Sequence, residues 1–153
     1  MKTAFLALSL AALPLAAGAQ VVTDCDWVAN PANIAEPWDL HSRTYANGAI
    51  RIALLDTGGE PVCCSAHLLI LSPSGSGQNG PAYRACHVYS AQPGMGFYGF
   101  DIARTTASYD PARGLSLSVP VYHWHQGIET GAPPIEERAE LRINQATGEV
   151  VAE

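Results

Sequence analysis

Leu115-Ser116-Leu117-Ser118-Val119-Pro120-Val121 alternates apolar with small or polar residues at a period of two. Side chains two apart on an extended chain share a face. Leu115, Leu117, Val119 and Val121 therefore form one apolar track, and Ser116, Ser118 and Pro120 a wetter one. A half-buried β-strand uses that pattern. Pro120 has no N–H to offer a ladder, which predicts an edge strand or a bulge there.

Working outward, the same rhythm recurs. Apolar, β-branched or aromatic stretches at 49–56, 62–72, 83–91, 96–105, 115–124 and 138–144, with a short one at 149–152, are separated by Gly, Pro, Asn and Ser. The breaks include Thr57-Gly58-Gly59-Glu60-Pro61 and Gln92-Pro93-Gly94. Residues 72–81 read as a flexible connection between strands, with no phosphate-binding lysine. Ala66-His67-Leu68-Leu69-Ile70-Leu71 is apolar on both faces and is expected to lie centrally, covered on both sides. Asn144-Gln145-Ala146-Thr147-Gly148-Glu149 reads as a tight hairpin closed by a positive φ at Gly148. Residues 33–38 allow one helical turn ending at Glu36-Pro37, because a residue before proline avoids the helical region. The fold class is all-β: an antiparallel meander of about six or seven strands, a small barrel or a sandwich.

The first nineteen residues read differently. Lys2 is followed by an apolar run from Ala4 to Leu13, then Pro14 and the small-residue site Ala17-Gly18-Ala19 before Gln20. This is the pattern of a secretory signal peptide, and its apolar run is about half the length needed to span a bilayer as a helix. The expected location is periplasmic or secreted, after cleavage near Ala19–Gln20. No later run is long enough for a membrane helix, and no aromatic girdles suggest an outer-membrane barrel, so no stable membrane insertion is expected. Cleavage leaves 134 of the 153 residues, read as one domain: an N-terminal arm at 20–44 and an antiparallel body at 45–153.

The net charge of −6 becomes −7 when Lys2 departs, since seven arginines are then the only strong cations. An acidic chain without a basic run is a poor partner for nucleic acid or anionic lipid. The cysteines Cys25, Cys63, Cys64 and Cys86 suit two disulfides in an oxidising compartment. Four cysteines allow three pairings. On the strand expected at 62–72, Cys63 and Cys64 point to opposite faces, so one can meet Cys86 on the neighbouring strand while the other ties down Cys25 near the N-terminus. Pairing the two neighbours with each other is the least expected arrangement, and a disulfide is expected to tie the arm to the sheet. A metal or redox role lacks the CxxC spacing it would need.

Chemistry concentrates in Tyr122-His123-Trp124-His125-Gln126-Gly127. His123 and His125, two apart, suit a shared metal ion if His41, His67, His87, Asp101 or Glu129 supplies a third ligand. The competing reading has them continue the inward track of Val119 and Val121 and cap the core. Tyr122 and Trp124 fall on the wetter face, where aromatic rings with polar tips serve sugar or protein contact. Phe97, Tyr98 and Phe100 read as core, and Trp27 and Trp38 as cover over one end of the sheet. Glu136-Glu137-Arg138-Ala139-Glu140 reads as a solvated charged lead-in to the last hairpin. No nucleophile elbow, HExxH or dinucleotide fingerprint is present, so no catalytic residue and no cofactor are assigned. The expected function is that of a small exported binding protein, contacting an envelope protein or saccharide through Tyr122 and Trp124. The alternative is a metal-binding protein or metalloenzyme using His123 and His125.

Overall fold

The computed structural model describes residues 20–58, 63–74 and 84–153. The predicted leader at 1–19 lies outside the described residues, as does most of the predicted connection at 72–81. Among the described residues ten strands form two five-stranded antiparallel sheets. The first sheet takes β1 (Val21–Asp24), β2 (Ser42–Tyr45), β3 (Ile50–Asp56), β4 (Ala66–Pro73) and β5 (Arg84–Ser90), in the order β1-β5-β4-β3-β2. The second takes β6 (Gly99–Phe100), β7 (Thr106–Asp110), β8 (Gly114–His123), β9 (Ile135–Ile143) and β10 (Val150–Ala152). Its order is β10-β9-β8-β6, with β7 also pairing β8.

The expected faces explain the packing. Leu115, Leu117, Val119 and Val121 of β8 meet Ile50, Ile52, Leu68, Ile70 and Tyr89 of the first sheet in one buried cluster. Ala139, Leu141 and Ile143 of β9 extend it, so the two sheets form a sandwich. Strand β4 is central and buried on both faces, as its apolar doublets predict. Its Leu68 and Ile70 enter the sandwich core, while Leu69 joins Ala53, Leu55, Val88 and Val28 in a second cluster. That second cluster is covered by the arm, whose Cys25, Ala29 and Ile34 pack against it. Burying a large aliphatic side chain contributes about 1.5–3 kcal/mol, so the arm is a third layer with energetic weight. It also supplies β1 and β2, the two outermost strands of the first sheet.

Several expectations are corrected. Pro120 is not on an edge. β8 pairs with β9 throughout and with β7 and β6 on its other side. β7 pairing ends at Ser118 and β6 pairing begins at Val121. The proline's missing donor therefore falls in the gap between the two partners, where its carbonyl still accepts from the Asp101 N–H at 3.1 Å. The predicted turn at 33–38 is displaced: a short 3-10 turn lies at Pro31–Asn33, and α1 (Trp38–His41) begins just after Pro37, which stands in extended backbone as its cap. Residues 136–140 are the interior of β9 rather than a lead-in. The stretch at 96–105 holds only the two-residue β6 and a short turn, and Thr106–Asp110 forms a strand that its exposed, polar pattern concealed.

The disulfides also depart from expectation. Cys25 pairs with Cys86 and Cys63 with its neighbour Cys64. The strand begins only at Ala66, so Cys63 and Cys64 lie in the preceding turn and the alternation of faces does not apply to them. Asp24 stands opposite His87 in the β1–β5 ladder, which carries Cys25 to Cys86, and the Cys25 N–H donates to the Cys86 carbonyl at 3.1 Å. The arm is thus tied to the sheet as expected.

On the arm-facing side of β4, His67 is 1% exposed and its Nδ1 lies 2.7 Å from Ser90 Oγ. An imidazole beside a serine hydroxyl suggests nucleophilic chemistry, but Ser90 is itself 4% exposed, so this pair is sealed inside the fold. Burial depresses the His67 pKa below its ordinary value, against the opposing pull of Asp26 and Asp56. An unfolded chain takes up a proton near pH 6.5 that the folded chain refuses, so stability falls as pH drops through about 6.5 toward the lower folded value. This one group contributes a slope of at most about 1.4 kcal/mol per pH unit. Urea unfolding at about pH 5 and about pH 7 checks it. His67→Gln is expected to flatten the difference, and an unchanged difference would rule this assignment out.

Candidate functional site

Beside the end of β8, Asp101 opens a short turn at Ile102–Arg104. Its Oδ1 accepts from the Arg104 N–H at 3.1 Å, the usual way an aspartate caps a helical start. The turn brings the Arg104 side chain back, so that Nε donates to Asp101 Oδ2 at 2.8 Å. Arg104 Nη2 then donates to the Tyr122 hydroxyl at 2.7 Å and to Glu136 Oε2 at 2.8 Å. Ladder register explains the convergence: Tyr122 stands opposite Gly99 of β6 on one side and Glu136 of β9 on the other.

Hydrogen bonding to Arg104 holds the Asp101 and Glu136 carboxyls below the ordinary carboxylate range. Arg104 is half exposed, and exposed ion pairs add little stability. Its role is positional: one guanidinium fixes a carboxylate, a second carboxylate and a phenol relative to one another.

Against this cluster lies a cavity of about 320 Å³. Phe100 and Ile102, both buried, contribute apolar walls, and Asp101 and Tyr122 contribute polar ones. It is open to solvent, and Leu40 and His41 of α1 line its arm side. The volume sits at the lower end of the range for small-molecule sites, and a mainly apolar lining with a few convergent polar groups is their usual composition.

Tyr122, singled out from sequence, thus lines this cavity. Trp124 is 40% exposed just past the end of β8; Tyr98, read as core, is also exposed, and its N–H donates to the Tyr122 carbonyl at 3.0 Å. Trp27 and Trp38 are both exposed on the arm. Phe97 and Phe100 are core, stacked or edge-on with Tyr89.

His123 and His125 meet different partners. The His123 ring packs edge-on against Phe97 at 5.4 Å, and its Nε2 lies 3.2 Å from Glu137 Oε2 in poor hydrogen-bond alignment. His125 sits beyond the strand, where Nδ1 accepts from the Gly127 N–H at 3.2 Å and Nε2 lies 2.9 Å from the Pro133 carbonyl. A carbonyl only accepts, so Nε2 carries the proton and both ring nitrogens are used within one loop. Among the described residues no three His, Cys, Asp or Glu side chains come together as a metal site.

The sequence reading missed Arg104 and the roles of Asp101 and Glu136. The available signal was Asp101-Ile102-Ala103-Arg104, an aspartate three residues before an arginine, the spacing of a capped turn with an ion pair. On the same outer face, Arg138 donates to the Ser118 hydroxyl at 2.6 Å, and that hydroxyl donates to Glu140. Arg142 and Arg113 both reach Glu153.

The chain matches no family model, no curated protein and no solved structure.

Proposed function

We propose that the chain is exported, loses its leader near Ala19–Gln20 and serves as a small saccharide-binding protein whose site is the cavity at Tyr122. The single observation that carries this reading is the pairing of apolar walls with a fixed carboxylate and a fixed phenol. A sugar offers C–H faces to the first and hydroxyl donors to the second. The acidic cluster and the net charge of −7 left once Lys2 departs favour neutral or amino sugars over anionic ones. Two disulfides suit an oxidising compartment, and among the described residues no helix is long and apolar enough to cross a membrane.

Titration calorimetry against oligosaccharides of neutral hexoses and of N-acetylated amino sugars tests the reading. Tyr122→Ala is expected to weaken binding at least about tenfold, the equivalent of about 1.4 kcal/mol. Trp124→Ala measures whether the contact surface extends past the strand end. Absence of binding across the panel, or a Tyr122→Ala protein that binds as well as the parent, would defeat it.

A further inference from the structure

Gln20 immediately precedes β1, and the Tyr89 hydroxyl donates to its side-chain carbonyl oxygen, Oε1. Tyr89 is fully buried in β5, its ring packed against Phe97 and Phe100, so the hydroxyl is held in one place. The pairing of Val21 with Ser90 fixes the backbone that follows Gln20. Burial raises the Tyr89 pKa, keeping the phenol a neutral donor at ordinary pH.

Cleavage after Ala19 converts the Gln20 peptide nitrogen into a primary amine within reach of its own carboxamide carbon. We propose that Gln20, once N-terminal, closes to pyroglutamate, and that the Tyr89 hydroxyl promotes the closure. The step needs no co-reactant. The α-amine attacks Cδ, and the carbonyl π pair moves onto Oε1. There the Tyr89 O–H stabilises the developing charge, as a donor does in an oxyanion site. Collapse of the tetrahedral species breaks the Cδ–Nε2 bond, and ammonia leaves with the proton given up by the amine. The lactam oxygen derives from Oε1, so the Tyr89 hydrogen bond can persist in the product. The terminus loses its positive charge, and with it the free amine that aminopeptidases require.

This proposal rests on the maturation reading above, and two measurements keep their failures apart. Intact mass of the exported protein shows whether the chain begins at Gln20. Separately, the chain is made with an N-terminal tag removed by a site-specific protease that leaves Gln20 first, and its mass is followed with time. The folded protein is expected to lose about 17 Da, one ammonia. Loss is expected at least about tenfold faster than in urea-unfolded protein or in Tyr89→Phe, which keeps the ring but lacks the donor. The urea comparison holds even if that variant folds poorly.

A free Gln20 amine that persists in folded protein overturns the proposal, as do equal rates in all three samples. A leader that is retained or cut elsewhere overturns the maturation reading, and removes the modification from the cell while the second measurement still reads the chemistry.

Discussion

Replacing Cys25 and Cys86 together by alanine is expected to lower stability by about 4 kcal/mol, whereas replacing Cys63 and Cys64 together by serine is expected to cost less than about 1 kcal/mol. The difference follows from chain statistics. A disulfide stabilises chiefly by removing conformations from the unfolded chain, and the effect grows with the length of the loop that it closes. Cys25 and Cys86 are 61 residues apart in sequence, so their bridge closes a long loop. Cys63 and Cys64 are one residue apart and close no loop that an unfolded chain would sample differently.

Packing adds to the contrast. Cys25 and Cys86 pack against the second buried cluster, so removing their sulfurs also loosens the arm over Ala53, Leu55 and Val88. Urea unfolding midpoints of the two double variants, at matched slope, measure the difference. Equal losses would mean that the loop-closure account is wrong for this chain.

Tertiary placement accounts for what the sequence left hidden. Strands that bury one face, such as β8 and β9, announce themselves by period-two alternation, and β4 by its apolar run. The exposed β7 and the half-exposed β1 and β2 carry little of that signal, because none of them buries a full apolar face; β7 and β2 pair with the next strand in sequence, and only β1 finds its partner, β5, far along the chain. Pro120 was read correctly as lacking a donor. What could not be read was that two short strands would share one side of β8 and leave a gap for it. At the candidate site Tyr122 was legible, since its face follows from the alternation. Arg104 was not: its partners lie 18 and 32 residues away, and only the ladder register brings them together. The cysteines failed for a local reason, because the assumed strand around Cys63 begins three residues later.

A glycine pair gives the second large effect. Gly148 and Gly131 both have positive φ, +81° and +90°. Alanine at either meets the same backbone penalty, about 1 kcal/mol for a left-handed conformation. Their surroundings differ. A Cβ on Gly131 meets nothing within 4 Å, while one on Gly148 lies 2.3 Å from the Pro73 carbonyl oxygen and 3.2 Å from Ala85 Cβ. The Gly148 turn belongs to the β9–β10 hairpin of the second sheet, and it docks on β4 and β5 of the first. The buried Ser72 hydroxyl donates to the Gly148 carbonyl at 2.9 Å, and His87 Nε2 lies 3.2 Å from the same oxygen. Since the obstruction is backbone, no side-chain rotation relieves it. The turn must lift away, leaving the Ser72 hydroxyl buried without its partner, which costs about 1–3 kcal/mol on its own.

Gly148→Ala is therefore expected to destabilise by about 3 kcal/mol or more, and Gly131→Ala by about 1 kcal/mol. Thermal melting of the two variants side by side separates the conformational part, common to both, from the contact between sheets, present in one. If the variants melt together, the hairpin does not fasten one sheet to the other, and the sandwich rests on its apolar core and on the backbone bridge between Ala66 and Phe97.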